Sequence, residues 1–78
     1  MTTDTRTFVE IWNSMTPSQQ EELQERIIRD AETNNTTFWF WKAGRSRPGT
    51  PLARKIVAGT VSKYLKISVN PAYLFPKK

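Results

Sequence analysis

An all-α fold, a compact domain of four to five helices, is predicted by three features of this 78-residue chain. A capping residue followed by proline, the local signature of a helix start, occurs at Thr16-Pro17, Thr50-Pro51 and Asn70-Pro71. Apolar residues recur at spacings of three and four along the intervening segments. The one run with high β propensity, Thr36 to Trp41, has no second alternating stretch with which to pair. The length suits one domain over 1–78, with a flexible start at 1–5 and a short tail at 76–78.

The first helix is expected over 6–15, where Phe8, Ile11, Trp12 and Met15 form one apolar stripe and Thr5 or Thr7 caps the start. The second, over 17–32, opens on Thr16 with Gln19 placed for a capping box. Leu23, Ile27 and Ala31 make its buried stripe, with Ile28 beside it, and Glu22–Arg26 and Glu25–Arg29 are spaced as surface pairs. Thr33-Asn34-Asn35-Thr36 breaks the pattern: Asn tolerates left-handed backbone, and Thr36 can cap a short helix over 37–43 that stops at Gly44. Residues 45–51 read as loop. A fourth helix runs from Pro51 to about Leu65, with Leu52, Ile56, Thr60 and Tyr64 inward and Val57 and Val61 at the edge. Gly59 interrupts that helix at a cost that close helix packing would explain. A last turn follows Asn70-Pro71, returning Leu74 and Phe75 to the core.

The formal charge of +5 conceals a division. All seven acids (Asp4, Glu10, Glu21, Glu22, Glu25, Asp30, Glu32) lie in the first 32 residues with three arginines, a formal −4. From Thr33 onward nine bases stand without an acid, a formal +9. Such a segment attracts a polyanion far more strongly than the overall charge implies. The absence of Cys and His excludes disulfides, thiolate metal sites and a catalytic imidazole. The glutamates of the second helix have arginine neighbours and read as a solvated surface. The chain is expected not to be an enzyme and to use no metal or cofactor. No apolar run approaches a membrane span, and the first residues lack the features of a signal peptide, so no membrane association is expected.

Two helices joined by a tight turn, followed by a basic loop, have the layout of a helix-turn-helix, whose second helix enters the major groove. At 100° per residue, Phe38 and Trp41 lie on the core side of the short helix; Thr36, Trp39, Phe40 and Ala43 face outward, and Thr37 and Lys42 flank the boundary. Arg45 and Arg47 in the loop suit phosphate contact, with Arg54 and Lys55 as further candidates.

The span Gln20–Pro76 resembles the small helix-turn-helix regulators of the phage Cro and repressor type, especially short versions from phages and bacteria of the gut Bacteroides group. The resemblance is carried by Thr37-Phe38, Trp41 and Gly44, by Pro51, Ile56 and Leu65, and by Leu74-Phe75-Pro76. It implies operator binding, commonly as a dimer, in the cytoplasm of a bacterial cell or phage-infected host. It also implies that Thr36, Thr37 and Lys42 approach base edges or phosphate while Arg45 and Arg47 grip the backbone. Two departures stand out: Trp39 and Phe40 replace the usual polar or basic outward residues, and Asn34-Asn35 replaces a glycine-containing turn.

The resulting expectation is a sequence-specific, double-stranded DNA-binding transcriptional regulator, with Thr36, Thr37, Trp39, Phe40, Lys42, Arg45, Arg47, Arg54 and Lys55 as the DNA-binding set. The competing expectation is a protein-binding or phage structural adaptor on the same scaffold, anchored by Trp39 and Phe40. A homodimer would use the first helix or the tail around Leu74 and Phe75. No small-molecule substrate is expected, and so short a chain leaves little room for an inducer pocket.

Overall fold

Every helix begins on a side-chain cap. The computed structural model describes residues 3–76, and these contain five helices in the order α1 (Phe8–Asn13), α2 (Pro17–Asp30), α3 (Asn35–Lys42), α4 (Pro51–Leu65) and α5 (Pro71–Leu74). Thr7 with Glu10, and Thr16 with Gln19, close reciprocal capping boxes on α1 and α2. Thr50 caps α4 and Asn70 caps α5, each followed by proline at the first helical position. The all-α expectation holds: among the described residues the only β feature is an isolated parallel bridge between Asp4 and Val69. That bridge ties down part of the start expected to be flexible, since the Asp4 amide donates to the Ser68 carbonyl at 2.7 Å. Lys77 and Lys78, the expected charged tail, lie outside the described residues.

The core is one continuous cluster with aromatic rings at its centre. Phe38 of α3 meets Phe8 edge-on, with ring centres 5.9 Å apart, and Trp12 at 5.2 Å. Phe8 also packs on Phe75 from the end of the chain at 5.4 Å. Leu74 and Phe75 therefore fold back as expected, and the stripe Phe8, Ile11, Trp12, Met15 is buried throughout. These are the side chains anticipated as dimer contacts, and they are consumed within the chain. A large aromatic payload suits a short chain, because each ring removes much apolar surface from water.

The inner face of α4 differs from expectation. Val57, Ala58, Thr60 and Val61 are buried, Ile56 and Tyr64 are half-buried, and Leu52 is 68% exposed. The α4 stripe is rotated because α2 lies along it. The Thr60 hydroxyl donates to Asp30 at 2.8 Å, and the Tyr64 hydroxyl donates to Glu22 at 2.8 Å. Gly59 faces away, with nothing within 4 Å of where a Cβ would stand, so close packing does not explain it. Of the two expected surface pairs on α2, Glu22–Arg26 forms at 3.7 Å; Arg29 instead approaches Asp30 at 3.5 Å.

Candidate nucleic-acid interface

The turn between α2 and α3 is built on Glu32. The Thr33 amide donates to the Ile28 carbonyl at 3.0 Å and the Glu32 amide to that of Arg29 at 3.4 Å, with Glu32 in the left-handed region at φ 52°. This is the Schellman closure, which satisfies carbonyls left free at a helix end. Neither Asn34 nor Asn35 adopts the left-handed backbone assigned to them from sequence. Asn34 is instead the cap: its Oδ1 accepts from the Thr37 amide at 2.8 Å, so α3 starts at Asn35 and not after Thr36. Asn is as good a cap as Thr, and here it stands two residues earlier.

The closure repeats at the far end of α3. Gly44, at φ 77°, occupies the left-handed position, and the Arg45 amide donates back to the Phe40 carbonyl at 3.0 Å. A Cβ at Gly44 would lie 3.1 Å from a methyl group of Val9, so both backbone and space require glycine. Because the chain reverses there, the Arg45 guanidinium comes to rest over the Trp39 ring, 5.6 Å from its centre.

With Phe38 and Trp41 held in the core, the opposite side of α3 presents Thr36, Trp39, Phe40 and Ala43 to solvent. Trp39 is 47% exposed and Phe40 40% exposed, so the helix phase inferred from the sequence is correct at all four positions. The two rings meet edge-to-face, 5.3 Å apart at 81°. Thr37 is half-buried at the flank. Lys42 turns away from the outward face. Its ammonium lies 5.4 Å from the centre of the Trp12 ring, in a groove shared with Glu21, Gln24, Glu25 and Asn35.

The loop after α3 is pinned. Pro48 is fully buried, and its carbonyl accepts from Arg54 Nη1 at 2.8 Å. Arg54 is thus a brace as well as a cation. Arg47, Arg54 and Lys55 line one shallow groove with Leu52, Asn70 and Ala72, and no acid lines it. Among the described residues the ion pairs are Arg6–Asp4, Arg26–Glu22 and Arg29–Asp30; none engages a base between Lys42 and Lys66. Between Lys42 and Lys66 the positive charge is thus uncompensated by direct pairing.

A second cleft, of about 400 Å³, lies between α1, the loop and the end of the chain, lined mainly by Phe8, Val9, Trp41, Leu74 and Phe75, with Arg47 at its rim. Among the described residues no group of three or more acids could hold a metal ion, and no helix is long and apolar enough to cross a membrane.

The structure therefore brings Thr36, Trp39 and Phe40 onto one surface, places Arg45 at its edge, and gathers Arg47, Arg54 and Lys55 in a groove bordered by α4 and α5. It separates Lys42 from them. The bracing role of Arg54 was missed from sequence, because a bond to the carbonyl six residues earlier has no local signature. No known protein family, curated protein or solved structure matches this chain.

Proposed function

We propose that this chain is a sequence-specific regulator that binds double-stranded DNA, with α2 and α3 acting as a helix-turn-helix. The observation that carries the reading is the run of bases from Arg45 to Lys55, none of them in an ion pair, that follows α3 in the chain, with Arg45 resting on the exposed Trp39 ring. Unpaired cations next to a free helix favour a polyanion with a groove. Glu21 and Glu25, in the groove with Lys42, repel phosphate and disfavour approach of the duplex along that groove. One eight-residue helix makes few base contacts, so a second copy on a two-fold site belongs to the proposal. The role is binding rather than catalysis, in the cytoplasm of a bacterial cell or infected host.

The test is retention of a randomised duplex pool at two salt concentrations, followed by sequencing of the retained strands. Enrichment of a two-fold motif supports a regulator. Failure to retain duplex at either salt rejects the reading. The exposure of Trp39 and Phe40 favours one second reading, a protein-binding or phage structural adaptor. On that reading, replacing both with Ser abolishes a protein complex and leaves duplex retention unchanged.

A further inference from the structure

We propose that the outward face of α3 recognises C5-methyl groups of pyrimidines in the major groove, reading sequence by apolar contact in place of hydrogen bonding. The inference rests on the duplex-binding reading and deepens it.

The outward face of α3 lacks the side chains that read bases by paired hydrogen bonds. Reading guanine in the major groove takes Arg or Lys, and reading adenine takes Asn or Gln. None of these stands among Thr36, Trp39, Phe40 and Ala43. The two polar side chains of α3 that have such chemistry are engaged elsewhere: Lys42 lies over Trp12, and Asn35 Oδ1 accepts from Gln24 Nε2 at 3.2 Å. The outward face keeps only the Thr36 hydroxyl and the Trp39 indole N–H as side-chain hydrogen-bonding groups.

What the face offers is an apolar ledge of two rings in mutual contact. Trp39 and Phe40 brace one another edge-to-face, and Arg45 rests on Trp39. Preset rings lose little conformational freedom on binding. The feature of the major groove that an apolar ledge can distinguish is the methyl group at C5 of thymine, which projects into the groove beside the O4 acceptor. A 5-methylcytosine carries the same group in the same place. The major groove, about 12 Å wide, admits a helix, whose diameter with side chains is about 10–12 Å. Arg45, at the edge of the ledge, is then positioned to meet phosphate while the rings meet the base edges.

The test compares one randomised duplex pool made with thymine and the same pool made with uracil, which keeps every hydrogen-bonding group and removes the methyl. The protein itself is unaltered. The expected result is retention of thymine-rich sequences, with a loss of about fourfold in affinity for each contacted methyl when the retained duplex is rebuilt with uracil. A third pool, with uracil and 5-methylcytosine together, separates the two sources: recovered binding assigns the contact to either methylated base, and no recovery assigns it to thymine alone. A Trp39→Ser, Phe40→Ser double variant is expected to bind thymine and uracil duplexes equally while keeping its salt dependence. Equal affinity of the unaltered protein for both duplexes, with binding still salt-sensitive, overturns the methyl reading alone. Absence of duplex binding at any salt overturns the duplex reading and this inference together.

Discussion

At the scale of single residues, two glycines with opposite environments make a direct check on the local geometry. Gly44 carries a left-handed backbone and faces Val9 at 3.1 Å, so Gly44→Ala is expected to destabilise the domain by about 1–2 kcal/mol. Gly59 lies inside α4 with open space around it, so Gly59→Ala is expected to stabilise by about 1 kcal/mol. Thermal unfolding of the two variants should shift in opposite directions; shifts of the same sign would contradict the assigned backbone. Asp4 provides a second check. Hydrogen bonds from the Arg6 side chain and amide hold its carboxyl below its ordinary value of 3.8. A depressed carboxylate contributes stability above its unfolded value and loses it as pH falls through the lower folded value. The Asp4–Ser68 tie should therefore persist at neutral pH and loosen only below about pH 4. Amide exchange at Asp4 measures this, and protection that falls as pH rises from 4 to 7, after correction for intrinsic exchange, would contradict it.

At the scale of elements, three helices end in the same way, and only one ending was readable in the sequence. Gly44 after α3 announces its left-handed turn. Glu32 after α2 and Lys66 after α4 adopt the same backbone, at φ 52° and 56°, without a residue type that advertises it. This is why the α2–α3 turn was assigned to the two asparagines: local propensity pointed to Asn, whereas the length of α2 and its packing on α4 decided the outcome. Glu32→Gly is expected to relieve the left-handed cost and raise stability by about 1 kcal/mol, read as a higher midpoint in urea. An unchanged or lower midpoint would show that the Glu32 side chain contributes something the turn geometry does not reveal. Helix starts were more legible, because a cap acts within four residues: Thr16, Thr50 and Asn70 cap as read, Thr7 is one of the two caps expected for α1, and α3 alone starts on a different cap, Asn34 in place of Thr36. The inner face of α4 was not legible, because its phase depends on which side α2 covers. Trp39 and Phe40 were placed correctly because Phe38 and Trp41 leave α3 a single way to bury its stripe. Lys42 is half-buried at the flank, where the sequence puts it, but its packing on Trp12 was not legible, since Trp12 stands thirty residues away in sequence.

At the scale of the molecule, charge division in the sequence becomes charge division in space only in part. The acids of α2 border α3 on the side of Lys42, while the loop and the start of α4 remain free of acids. On the proposed reading, this acid-free segment engages the phosphates of a duplex through Arg45 and Arg47 of the loop, which Arg54 braces, and through Lys55 of α4. Counterion release makes that claim quantitative, since each phosphate contact contributes about −0.9 to the slope of log affinity against log salt. The most direct measurement is that slope, taken for the unaltered chain and for an Arg45→Ala, Arg47→Ala variant on one retained duplex. The expected slope is about −3 per bound copy, reduced in magnitude by about 2 in the variant, with affinity lowered on all sequences alike. An unchanged slope and affinity in the variant would contradict it.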